Sequence, residues 1–333
     1  MFTEAIEAIL RDHVTPEAIR AIEKGGAPSL VWNALEEAGF LALLTPESAG
    51  GAGLSLPAIA PVFTALGRYA MPVPFAQSIA ARALLRDTDG AVPAGMTTLA
   101  GTCRRHQDGA LEASHVPFGM RCDHVLANVD GELVLLDAGA AERTACGVHG
   151  SASGMLSWRP AAVPASLAAN GEAVLLFSAA IHAAAIAGAM DRVFGMTLQY
   201  CNDRSQFGKS IGKFQAVQHQ LSVMAQHVAA AGIASELAFS GEGIVPGGLA
   251  TAIAKARTSM AVPLVASTAH ALHGAIGVTA EYDLQLYTRR LHEWRMADGS
   301  EAFWNRMVGN AVLTQQHTTI ADFARTAPYD AAA

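Results

Sequence analysis

The chain has 333 residues, 51% hydrophobic and 15% charged, with a net charge of −7 and a positive mean hydropathy. That length supports a large buried core, and so apolar a composition implies that part of the surface is covered in an oligomer. The basic residues are scattered, which argues against nucleic-acid binding.

Cys103, Cys122, Cys146 and Cys201 lack CxxC or Cys/His ligand spacing, and Glu4, Glu7 and Asp12 interrupt Met1–His13 as no secretory signal would. The expectation is a cytoplasmic protein without a metal site. In the first segment, apolar residues recur at helical spacing, as in Leu30, Trp32, Leu35, Ala38 and Phe40, then Ile59, Val62, Phe63 and Leu66. Residues 1–90 are therefore expected to form a helical domain, broken by a loop at Thr45–Gly53, where Pro46 and the glycines cannot continue a helix.

Residues 91–170 change to short β-type runs. His124–Val129 and Glu132–Leu136 flank Asp130-Gly131, a strong hairpin signal. From Gly171 long alanine-rich helical segments return, with breaks at Gly241–Gly248 and His273–Gly277, giving a helical bundle over 171–326 and a tail over 327–333. The apolar run Ala173–Met190 has a membrane-like composition, but it contains His182, is short and has no basic flank, so it reads as a buried helix and no membrane span is expected. The expected fold is mainly α with a small β domain, in α–β–α order.

Tyr200–Ile211, which contains Arg204, Phe207 and Gly208, followed by Phe214-Gln215-Ala216-Val217-Gln218, resembles the acyl-CoA dehydrogenase signature. His273–Tyr282 is similar to that family's glycine turn and the acidic–aromatic pair after it, and Pro46–Gly53, preceded by Trp32, Leu35 and Gly39, to its first domain. The resemblance implies an α–β–α fold closing on a four-helix bundle, and FAD-dependent α,β-dehydrogenation of an acyl-CoA to the trans-2-enoyl-CoA. It implies that Arg204, Phe207, Gly208, Gln215, His273, Gly274 and Gly277 reach an FAD held chiefly by a neighbouring subunit. Electron-transfer flavoprotein or a similar acceptor is the implied electron partner. These residue types suit a dinucleotide, since a guanidinium can grip a pyrophosphate bidentately and glycine permits close backbone approach.

The reaction needs a base. Where most of the family carries glutamate, this chain has Asp298, within Ala297-Asp298-Gly299-Ser300-Glu301. Its side chain is one methylene shorter, and a displacement of about 1 Å can cost roughly a hundredfold in rate. Asp298 serves either as the base or as a cap on the helix from Ser300. Arg295 would pair with it and lower its pKa, whereas burial would raise it. A second family branch places its base on the preceding helix, at a position read here as Met260, which has no basicity.

Two family segments that face the flavin are missing from the β domain, and Ala271 stands where the family has glutamine. The chain thus resembles the short subunit of heterotetrameric, steroid-type acyl-CoA dehydrogenases, which pairs with a longer homologue; a homo-oligomer stays open. Pro263, on a helix implied to wall the acyl pocket, either kinks that wall to admit a bulky acyl group or begins a new helix. Alternatives to the dehydrogenase are a non-catalytic subunit completing a homologous chain's FAD site, and an aspartate-based oxidase.

Overall fold

The computed structural model describes residues 2–86, 88, 92–314 and 319–329. The N-terminal segment forms helices α1 (Phe2–His13), α2 (Pro16–Glu23), α3 (Ser29–Glu37), α4 (Leu56–Arg68) and α5 (Phe75–Leu85). Helix α2 starts where Thr15 accepts a hydrogen bond from the Ala18 amide and Pro16 takes the first turn, a position where its missing N–H costs nothing. The loop expected at Thr45–Gly53 is present, with a 3-10 turn at Glu47–Ala49. Trp32 meets Phe75 edge-on at 5.6 Å, tying α3 to α5.

A mixed six-stranded sheet follows, in the order β4-β3-β1-β2-β6-β5. Its strands are β1 (Thr97–Arg105), β2 (Leu111–Val116), β3 (His124–Val129), β4 (Glu132–Asp137), β5 (Glu142–Ala145) and β6 (Gly154–Trp158). The Asp130-Gly131 hairpin forms as expected. Both residues have positive φ, +55° and +86°, and the register runs unbroken from Val129↔Glu132 to His124↔Asp137. Leu111, Val116, Val125, Leu136, Leu156 and Trp158 share a core within the β domain. Leu99, Leu126 and Leu133 join the main helical core instead, so the sheet is anchored to the helices by alternate residues of its strands. The expected boundary at 90/91 lies outside the described residues.

The C-terminal segment comprises α6 (Glu172–Asp203), the short hairpin of β7 (Ser205–Gln206) and β8 (Lys209–Ser210), α7 (Gln215–Leu237), α8 (Gly248–His273), α9 (Leu284–Met296), α10 (Glu301–Thr314) and α11 (Ile320–Thr326). Helices α6 to α9 make the bundle, and α10 closes against α8. The most apolar stretch of α6 is 83% buried within the protein, as a core helix requires. It crosses α4 closely because both helices carry glycine at the contact: a Cβ on Gly188 would lie 2.0 Å from the Thr64 carbonyl oxygen, and one on Gly67 2.3 Å from that of Ala185. Ala327, expected in the tail, is buried beside Leu249 and Phe323.

Two expectations are corrected. Pro263 neither begins a helix nor follows a break, since α8 runs through it from Gly248 to His273. Nor does α8 line the cleft described below, whose helical walls are α2, α4, α5, α6 and α9.

Candidate active site

Asp298 lies in the turn between α9 and α10 with φ +53°, a left-handed conformation in which aspartate is among the better tolerated non-glycine residues. That backbone directs its side chain inward. Its Oδ2 accepts a 2.6 Å hydrogen bond from the Ser178 hydroxyl and lies 2.7 Å from Nδ1 of His182, two residues one turn apart on α6. The carboxylate side chain is 6% exposed and the imidazole 2%. Burial, the largest single influence, pushes the Asp298 carboxyl up. The His182 hydrogen bond and charge, the Ser178 hydroxyl and the Lys255 ammonium outweigh it and hold it below the usual carboxylate value.

Neither local expectation for Asp298 holds. It does not cap α10, because its oxygen is bonded to α6. Arg295 does not pair with it either, since the Arg295 guanidinium holds Glu301. The turn is fixed from below by Lys255 on α8, fully buried, whose Nζ donates to the carbonyl oxygens of Trp294 (2.9 Å), Arg295 (3.0 Å) and Gly299 (3.3 Å) and to Ser259 Oγ (3.1 Å). These acceptors include the last turn of α9, where a cation is electrostatically favoured. Burial nevertheless pushes the ammonium down to about 8, against the pull of Asp298 and Glu301. Trp304 Nε1 donates to the Asp298 carbonyl at 3.1 Å from the other side.

Strand β1 closes the third side. A Cβ on Gly101 would sit 2.8 Å from Leu175 Cδ1 and 3.2 Å from Asp298 Oδ1, so only glycine lets the strand approach this closely. Met260 plays no part: it is 53% exposed, its sulfur meeting Asn305 Nδ2 at 3.6 Å. The helix facing the candidate base is α6.

Two pockets open on this centre, and His182, Phe118 and Trp294 line both. The larger, about 580 Å³ with its open mouth, has a mixed lining, in which His115, Arg121, Ser151, Glu293 and the Arg289–Arg290 pair stand among apolar residues such as Ile22, Phe118 and Val148. Those arginines are held by Glu23 at 3.0 and 2.8 Å. The smaller, about 360 Å³, is apolar and lies among Phe63, Leu66, Met71, Val73, Ala76 and Ile181.

The residues implied to reach FAD stand apart from this cleft and close to one another. Phe207 and Gly208 form the β7–β8 turn, with φ +54° and +80°. Phe207 is 89% exposed and touches the Phe214 ring edge-on at 6.2 Å. Arg204 is exposed at the end of α6, and Gln215 is exposed at the start of α7. One turn before Arg204, Tyr200 stacks on His273 at 4.5 Å and donates its hydroxyl to the His273 carbonyl at 3.2 Å. The hairpin and the Gly274–Val278 turn are thereby joined. Gly274 is exposed, with φ +63° and open space where a Cβ would be, whereas Gly277 is buried. The His273 ring is 3% exposed, its Nδ1 donates to the Ala269 carbonyl at 2.8 Å and its buried Nε2 has no hydrogen-bond partner among the described residues. His273 therefore shapes the turn and does not present its ring at the surface. An exposed guanidinium, an exposed aromatic ring and an open glycine turn on one surface fit the phosphate and adenine end of FAD.

The sequence reading missed Ser178, His182 and Lys255. The available signal was polar residues set singly in apolar helices, which carry a cost unless they find a buried partner.

The sequence matches the family description "Acyl-CoA dehydrogenase, C-terminal domain" over residues 171–313 and "Acyl-CoA dehydrogenase, N-terminal domain" over residues 1–88. It is 31% identical to acyl-CoA dehydrogenase IpdE2 of Mycobacterium tuberculosis over 88% of this chain and 90% of that protein. To IpdE2 of Mycolicibacterium smegmatis it is 30% identical over 88% and 91%. The fold superposes on the ChsE4-ChsE5 complex of Mycobacterium tuberculosis with a TM-score of 0.81, at 23% identity, covering 95% of this chain and 97% of that one. For a variant of the Tcur3481-Tcur3483 steroid ACAD the values are 0.79, 27%, 93% and 96%. The shared sequence over most of the chain and the shared α–β–α architecture place it in the acyl-CoA dehydrogenase family, the FAD-dependent oxidoreductases to which it belongs.

Proposed function

We propose that the chain works as one half of a heteromeric acyl-CoA dehydrogenase that desaturates the Cα–Cβ bond of a CoA thioester carrying a bulky, steroid-derived acyl group. The observation carrying this reading is the outward-facing surface of Arg204, Phe207 and Gly274: with Phe207 89% exposed, the cofactor these residues grip lies largely against another chain. The steroid ACAD at 27% identity and the ChsE4-ChsE5 complex are each named as a pair of proteins, which favours a homologous partner over a second copy. The mixed and apolar pockets, which share Phe118, His182 and Trp294 in their walls, suit a broad acyl group with both polar and apolar parts better than a straight chain.

When bound, FAD supplies the acceptor for the β hydrogen. The chain's own residues hold the cofactor's phosphates through Arg204 and the Gly274 turn, wall the acyl group with Phe118 and Trp294, and place the Asp298–His182 pair beside the thioester's α carbon. Electrons pass on to electron-transfer flavoprotein or a similar acceptor in the cytoplasm. The test is to express the chain alone and with a longer homologous partner. A colourless protein that becomes yellow and tetrameric only with the partner, and oxidises polycyclic acyl-CoA faster than straight-chain acyl-CoA, supports the reading. Full flavin loading and activity as a homo-oligomer would contradict it.

A further inference from the structure

We propose that the group accepting the α proton is Nε2 of His182, and that Asp298, at the position from which the family's base is expected, is its positioning residue. The inference rests on the dehydrogenase reading above and names the proton acceptor within it.

The Asp298 carboxylate is poorly placed to reach a substrate. Its Oδ2 is bonded by Ser178 and His182, its Oδ1 faces strand β1 at Gly101, and it lines neither pocket. His182 lines both, at the junction where the α carbon of a substrate spanning them would lie. The 2.7 Å contact from Nδ1 to the carboxylate fixes that nitrogen as the one bearing hydrogen, leaving the Nε2 lone pair for the cleft. This division of labour, with a buried carboxylate orienting an imidazole and balancing its charge, is a recurrent solution for general bases.

Other charged groups around the cleft are matched among themselves: Arg289 and Arg290 with Glu23, and Glu293 with the Ser151 hydroxyl. His115 Nε2 lies 4.0 Å from Glu293, and Arg121 donates to the Ile22 and Gly26 carbonyls. Asp298 is thus the anion in direct contact with His182. Its depressed pKa keeps it ionised, which weakens it as a base and suits it to stabilise an imidazolium.

In the step, the α C–H bond breaks and its proton goes to Nε2. The electron pair left on Cα forms the Cα=Cβ bond, and the β hydrogen departs with its pair to the oxidised flavin that the family reaction supplies. Asp298 stays anionic beside the imidazolium, which returns its proton to solvent once product leaves.

The experiment uses the flavin-replete complex with its partner and the variants His182→Gln, His182→Ala and Asp298→Asn, each checked for flavin content and melting temperature. His182→Gln should slow anaerobic flavin reduction by acyl-CoA about 10²- to 10⁴-fold, and added imidazole should restore part of the rate to His182→Ala. Asp298→Asn should slow it at least about tenfold. Independently of turnover, NMR of ¹⁵N-histidine-labelled protein should show a strongly downfield Nδ1–H proton that His182→Gln and Asp298→Asn both abolish. A His182→Gln complex reducing flavin within about threefold of wild type while Asp298→Asn is inactive would overturn the proposal in favour of Asp298 as base. Absence of the Nδ1–H signal from wild type would overturn it without any turnover. A wild-type complex that oxidises no acyl-CoA, with the NMR signal intact, refutes the functional reading and leaves the hydrogen-bonded pair established.

Discussion

Replacing Lys255 with methionine tests what holds the Asp298 turn in place. The side chain is fully buried, and its Nζ makes three hydrogen bonds to the carbonyls of Trp294, Arg295 and Gly299 and one to Ser259. Hydrogen bonds from a charged donor contribute about 1.5–3 kcal/mol each, so the carbonyl set amounts to roughly 6 kcal/mol. Against this, burial lowers the ammonium's pKa from 10.5 to about 8, a penalty of about 3 kcal/mol at 1.36 kcal/mol per unit. The net loss expected for Lys255→Met near neutral pH is therefore about 3 kcal/mol, read from urea unfolding by circular dichroism. The pH dependence has a definite sign. Between about 8 and 10.5 the unfolded chain binds a proton that the folded chain does not, so wild-type stability gains relative to the variant as pH rises through that window. A loss below about 1 kcal/mol at neutral pH, or a gap that narrows between pH 8 and 10, would refute the assignment.

Arg204→Ala should weaken FAD binding roughly ten- to hundredfold, as expected for loss of a charge-assisted contact, and leave the melting temperature of the flavin-free protein unchanged; equilibrium dialysis of flavin measures it. Gly101→Ala should destabilise the protein by about 1–3 kcal/mol through overpacking, because the new methyl meets Leu175 at 2.8 Å and Asp298 at 3.2 Å, and a neutral result in chemical unfolding would contradict the close approach of β1. The depressed Asp298 carboxyl contributes stability that is present above its ordinary value of 3.8 and lost as pH falls through the folded value. Acid unfolding of Asp298→Asn should therefore be less steep than that of wild type, and identical acid limbs would argue against the buried hydrogen-bonded carboxylate.

The parts of this fold legible in the sequence are those set by local chemistry. Asp130-Gly131 adopts the positive φ values that its hairpin demands, and the apolar run of α6 is buried as its composition requires. The Arg204–Gly208 and His273–Gly277 elements were legible as motifs, but their adjacency depends on Tyr200 stacking across 73 residues of chain onto His273. The centre of the site was less accessible. Asp298 could be located by resemblance, yet its left-handed backbone and its inward aim arise from Lys255, Trp304 and Gly101, none adjacent to it in sequence. His182, 116 residues away from Asp298, carried a signal only as an isolated polar residue in an apolar helix. The expectation that Pro263 begins a new helix failed because tertiary packing carries α8 through a proline that local propensity would place at a helix start.

Whether this chain, with a homologous partner, dehydrogenates a bulky acyl-CoA through a shared flavin is tested most directly by anaerobic mixing of the flavin-replete complex with a polycyclic acyl-CoA. Flavin absorbance is followed and the thioester is analysed by mass spectrometry. Stoichiometric bleaching is expected, with loss of two hydrogens from the acyl group and a much slower response to straight-chain acyl-CoA; an unbleached flavin and unchanged thioesters across both classes would contradict the proposed dehydrogenation.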